Sequence, residues 1–155
     1  IYIMRNPPIL VFLMIMYYVV LAQSGLSAIT VAIIAFSMNS SAFIAEIYRS
    51  GIQSVSKGQV EAGRAMGCSA FKTFLYIVAP QAAKTAMPVI TSECITLLKG
   101  TSIVGYISII DLTKASDLIR STSFEAFFPL LTITLLYFIL ATLLTQILNA
   151  VLKKL

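Results

Sequence analysis

Two long uncharged runs dominate the chain. No residue between Asn6 and Ala45 carries a charge, and Ala126 to Leu152 is a second such run. A transmembrane helix needs about 20 predominantly apolar residues, so the second run has the length of one crossing and the first is long enough for two. Gln23-Ser24-Gly25 breaks the first run with the polar, flexible residues of a tight turn. Spans are therefore predicted over about residues 8–22 and 26–47. From Glu46 to Lys84 the pattern turns amphipathic. Ser56 with Gln59 three residues on predicts a capping box, opening a helix that Gly67 would close in a left-handed conformation. Ser69 is placed to cap a second helix, on which Phe71, Phe74, Leu75 and Val78 follow the spacing of an apolar stripe. Pro80 is expected to bend or end it. Residues 48–84 thus read as a loop of two short helices outside the membrane core. A third span is expected over about 85–106, although it carries Pro88, Glu93 and Lys99; residues 107–126 read as a partly helical connection, and a last span covers about 127–150.

Composition agrees with that solvent. Hydrophobic types make up 59% of the 155 residues and charged types 11%, with a mean hydropathy of +0.94. A soluble domain carries about 25% charge. The expected fold is accordingly an all-α, polytopic transmembrane helix bundle forming a single domain over residues 1–155. The excess of 11 Lys and Arg over 6 Asp and Glu reads as a marker of cytoplasmic loops, not of nucleic acid. Counting across four spans, Arg5, Arg49, Lys57, Arg64, Lys72, Lys84, Lys153 and Lys154 fall on one side, and only Lys114 and Arg120 on the other. Both ends and the 48–84 loop are therefore expected to be cytoplasmic, with 107–126 external.

The chemistry on offer is narrow. With no His, imidazole-based catalysis is excluded, and no G-x-x-x-x-G-K-[ST] loop is present to grip a nucleotide. Cys68 and Cys94 fall in segments at different levels of the membrane, so neither a disulfide nor a metal pair is expected. The chain is expected to be no enzyme and to bind no metal or cofactor of its own.

The amphipathic loop carries the informative motif. It reads Glu61-Ala62-Gly63-Arg64-Ala65-Met66-Gly67, then nine residues, then Ile77-Val78-Ala79-Pro80. This resembles the EAA loop of ATP-binding-cassette importer permeases, whose pattern is Glu-Ala-Ala, three residues, Gly, nine residues, Ile, one residue, Leu-Pro. Gly63 replaces the second Ala and Ala79 replaces Leu. The flanks are similar to the polar amino acid uptake family: Arg5-Asn6-Pro7-Pro8 at the start, Asn39 to Ile52 leading into Lys57-Gly58-Gln59, and Leu97-Leu98-Lys99-Gly100-Thr101-Ser102 later. The resemblance spans essentially the whole chain. It implies the type I importer permease fold, here without the N-terminal span that family members usually carry, as in a piece of a longer polypeptide. It also implies ATPase subunits as partners, holding ATP and Mg²⁺, together with a second permease copy or homologue, an extracytoplasmic solute-binding protein, membrane lipid, and a bacterial cytoplasmic-membrane location. Glu61, Ala62, Gly63 and Gly67 would belong to the ATPase-coupling surface, with Ala62, Gly63 and Ala65 small enough for close approach. The cargo implied is a polar amino acid.

Glu93 and Lys99 are costly inside a bilayer unless paired, hydrated or bound. Six residues apart, they point about 120° apart on a helix, so each must face another helix, a water-filled path or a ligand. A zwitterion would suit a cavity offering a carboxylate and an amine. Asn39 is the best path candidate among the small polar residues Ser37, Asn39, Ser40 and Ser41, and Thr101 and Ser102 beside Gly100 are candidates for a helix break that lines a cavity. A second reading is an ion-coupled secondary transporter or channel that uses Glu93 and Lys99 as a relay.

Overall fold

A computed structural model describes residues 5–152. Among them, the ordered elements are all helical. Helix α1 (Ile9–Ile15) continues into a wide π turn, Met16–Val20, closed by Leu21 N–H donating to the Met16 carbonyl at 2.9 Å. After the Gln23-Ser24-Gly25 turn comes α2 (Ala28–Gln53), whose N-cap Ser27 accepts from Thr30 N–H at 3.2 Å. Short α3 (Lys57–Ala65) and α4 (Ala70–Thr73) follow. A second π turn, Phe74–Val78, joins α4 to α5 (Ala79–Gly100), which tightens into a 3-10 segment, Thr101–Ile107. Asp111 caps α6 (Leu112–Ser123) by accepting from Lys114 N–H at 2.9 Å, and α7 (Phe127–Leu152) ends the described chain.

The long helices α2 and α7 are each long and apolar enough to cross a membrane; Ala70–Ile107 with α6 passes the same test as a pair bent by 52°. Over the first expected span, 8–22, the helical residues are Ile9–Val20, which rise about 18 Å against a hydrocarbon core of about 30 Å. Pro7-Pro8 blocks its extension at one end, and the polar turn stops it at the other.

Helices α2 and α5 form the centre of the bundle and pack along most of their lengths. In lipid, burying apolar surface gains little, so close packing of small residues must hold helices together. Ala32, Ala35, Ala42 and Gly51 of α2, and Ala82 and Ala86 of α5, are accordingly buried. At one end of the bundle Leu13, Met16, Val31, Phe36, Val104 and Ile107 close a core that ties α1, α2 and the 3-10 segment together. By contrast, α7 has no buried residue.

Two local expectations are corrected. Pro80 neither ends nor breaks its helix: Ala70–Ile107 runs through it. Proline lacks the N–H of a helical turn and crowds the carbonyl before it. The π turn immediately upstream widens the backbone where Ala79 N–H reaches back to the Phe74 carbonyl. The second half of the 48–84 loop is therefore continuous with the third span. Second, Ser56 makes no side-chain cap; its predicted partner Gln59 is engaged elsewhere.

Candidate functional site

The α3–α4 pair is built by a tight reversal. Gly67 has φ +84°, as the sequence predicts, and the chain around it forms a Schellman end: Cys68 N–H donates to the Gly63 carbonyl at 3.2 Å, and Gly67 N–H to the Arg64 carbonyl at 3.0 Å. Ser69 then caps α4 as expected, accepting from Lys72 N–H at 3.3 Å. Glu61, Ala62 and Gly67 are exposed. Gly63 is not on that surface. It is buried against α4 and the π turn, where a Cβ would stand 2.6 Å from Ile77 Cδ1 and 3.1 Å from Thr73 Cγ2. Its small size therefore serves packing within the pair, and a partner approaching α3 meets Glu61 and Ala62. A hydrogen bond from Gln81 Nε2 to Gln59 Oε1, 2.7 Å, fastens α3 to α5, and the same Nε2 also reaches the Ile77 carbonyl at 2.9 Å.

A second feature lies between α2 and α5. A cleft of about 240 Å³ is lined by polar Asn39, Ser40, Glu93 and Thr96, by Arg5, and by apolar Phe36 and Phe43. Asn39 and Ser40 are buried, and the Ser40 Oγ has no hydrogen-bond partner among the described residues. Two of the expected path residues, Asn39 and Glu93, thus share one wall-to-wall space. Lys99 is exposed and lies outside it. Thr101 turns its hydroxyl back onto the Leu98 carbonyl at 2.7 Å, and Ser102 lines a separate recess of about 160 Å³ beside Lys114 and Asp117. At Gly100-Thr101 the helix continues, with a change from α to 3-10 winding; Gly100 lines the Glu93 cleft, and Thr101 and Ser102 do not.

Arg5 and Thr96 are the cleft residues that sequence reasoning missed. Thr96 follows Glu93 by three residues, which puts it on the same helix face; that spacing was the available signal. Arg5 arrives only because α1 runs antiparallel to α2. A larger cleft of about 400 Å³ between α6 and α7 is mostly apolar, and offers a polar solute only Ser116, Ser123, Glu125 and Thr132.

The whole chain, residues 1–155, matches the family of binding-protein-dependent transport system inner membrane components. It is 34% identical over 155 residues to GlnP of Rickettsia bellii, named for a glutamine transport system, covering 99% of this chain and 71% of that protein. It is 35% identical over 153 residues to the arginine transport system permease protein ArtQ of Bacillus subtilis, covering 97% and 70%. Among solved structures, the crystal structure of an amino acid ABC transporter with histidines superposes with a TM-score of 0.86 at 36% identity, covering 99% of this chain and 72% of that one.

Proposed function

Since this chain belongs to the family of binding-protein-dependent transport system inner membrane components and is a permease component of an amino acid ABC transporter, we propose that it carries a polar amino acid across the bacterial cytoplasmic membrane, with hydrolysis on separate ATPase subunits driving the step. The ATPase holds ATP and Mg²⁺; this chain supplies the path and the contact. An extracytoplasmic binding protein delivers the solute, and a second copy or a homologous permease completes the pore. Both ends and the α3–α4 pair face the cytoplasm, in line with the distribution of Lys and Arg.

One observation carries the coupling: α3 is clamped to a helix that runs unbroken from Ala70 to Ile107, and Glu93 on that same helix lines the polar cleft. A push on the exposed Glu61-Ala62 face is therefore delivered to the wall of the cleft as a rigid-body movement, without a flexible joint in which to dissipate. Asn39 and Glu93 offer hydrogen-bonding and charge complementarity to an ammonium group. Lys99 outside the cleft weighs against a Glu93–Lys99 relay.

The test is uptake by proteoliposomes that contain the permease with its ATPase, supplied with binding protein. Uptake is expected to require ATP and to survive ionophores that collapse proton and sodium gradients. Uptake that persists without ATP and follows an imposed gradient would overturn the reading in favour of the ion-coupled transporter.

A further inference from the structure

The cleft has a charged group that the coupling mechanism leaves unused. Arg5 lines it at the end nearer Phe43, with its guanidinium carbon 6.0 Å from the centre of the Phe43 ring. Its Nη1 stands 3.9 Å from Glu46 Oε1, too far for a hydrogen bond. Glu46 is in any case already occupied: Arg49 donates from Nε to Oε2 at 3.0 Å and from Nη2 to Oε1, a two-point grip. Two guanidiniums thus face the Glu46 carboxylate, Arg49 within hydrogen-bonding distance and Arg5 beyond it. Among the described residues Arg5 makes no hydrogen bond. Glu93 puts a carboxyl group on another wall, and the buried, unpartnered Ser40 Oγ lies in the same lining. The space of about 240 Å³ is on the scale of a single small solute.

Resting on the reading that this cleft is the solute's path, we propose that Arg5 is the residue that reads the carboxylate of the transported amino acid, and that Glu46 is the tether it returns to when the solute leaves. The planar fork of Arg matches a carboxylate at two points, Ser40 supplies a hydroxyl donor beside it, and the ammonium end is left to Glu93 and Asn39. The Glu46 carboxylate consumes none of the donors of Arg5, and its charge competes with that of the solute for the guanidinium. The substrate class is then an α-amino acid with a free carboxylate; the decarboxylated amine of the same side chain is rejected.

The experiment measures ligand-induced thermal shifts of the permease–ATPase complex in nanodiscs, without binding protein. The probes are L-glutamine, L-histidine and L-arginine, with histamine and agmatine as the decarboxylated counterparts. At least one of the three amino acids is expected to raise the melting temperature while the amines do not. Arg5→Met should raise the half-saturating concentration about 30-fold or more, and Arg5→Lys by less. Glu46→Gln frees Arg5 and should tighten binding severalfold. That opposite sign separates the proposal from a merely structural brace, since breaking a brace from either side would weaken binding alike; weakening in both variants overturns it. Binding lost in Glu93→Gln but retained in Arg5→Met removes the role of Arg5 and leaves the cleft as the path. No shift with any of the three, or unchanged shifts in Glu93→Gln, overturns both.

Discussion

A methyl group on Gly63 would collide first with the δ-methyl of Ile77, at 2.6 Å, and then crowd Thr73 Cγ2 at 3.1 Å. The first neighbour is the tip of a flexible side chain and can swing aside; the second belongs to a stiff β-branched residue. Alanine also gains about 1 kcal/mol of helix propensity over glycine. The two effects nearly cancel, so Gly63→Ala should change stability by less than about 1 kcal/mol. Gly63→Leu has no such outlet and should lower the melting temperature in detergent and lift α3 off its seat; equal melting of the two variants would contradict the packing. The burial of Gly63 is hidden in the sequence because small residues are used both for surface approach and for internal contact. Gln59 misleads for a related reason. Its position three after Ser56 satisfies a local rule, but the side chain bonds to Gln81, 22 positions away, and no local pattern encodes that separation.

At the scale of elements, the reversal at Gly67 is the most legible feature: a glycine after an amphipathic stretch, found at φ +84° with open space for 4 Å around the point where a Cβ would stand. Space is no obstacle there, so the cost of a substitution is purely conformational, about 1–2 kcal/mol for a β-branched residue. Gly67→Val should therefore reduce solute imported per ATP hydrolysed while leaving ATPase turnover largely intact. Gly67→Asn, which tolerates the left-handed region, should retain most coupling. The ratio of uptake to phosphate release in proteoliposomes reads this directly, and equal ratios for Val and Gly would remove Gly67 from the coupling element. The helices of the long apolar runs are equally plain, because charge-free stretches of membrane length admit few alternatives. What the sequence conceals is continuity across Pro80. A proline reads as an end in isolation; only the widened turn before it, an outcome of packing, lets the helix proceed.

For the whole molecule, the orientation rests on Lys and Arg placement. Cysteines introduced at Ser24 or Ser121 should react with a membrane-impermeant maleimide in right-side-out vesicles, and one at Lys57 only in inverted vesicles, with Cys68 and Cys94 replaced by Ser. The reverse pattern would invert the topology. The polar cleft is half legible: Asn39 and Glu93 stand out as polar groups in apolar surroundings, whereas Arg5 joins them through antiparallel packing of α1 on α2. The π turn at Phe74–Val78 has one more effect on the assembly. It holds an additional residue per turn, so it sets the angular phase between everything before it and everything after. Tightening it to regular α winding with every residue kept would swing α5 about its axis by about 100° relative to α3. Glu93 would rotate out of the cleft while both ends of the helix remained intact. Phase is thus a property this permease must keep, held by a single surplus residue just ahead of Pro80.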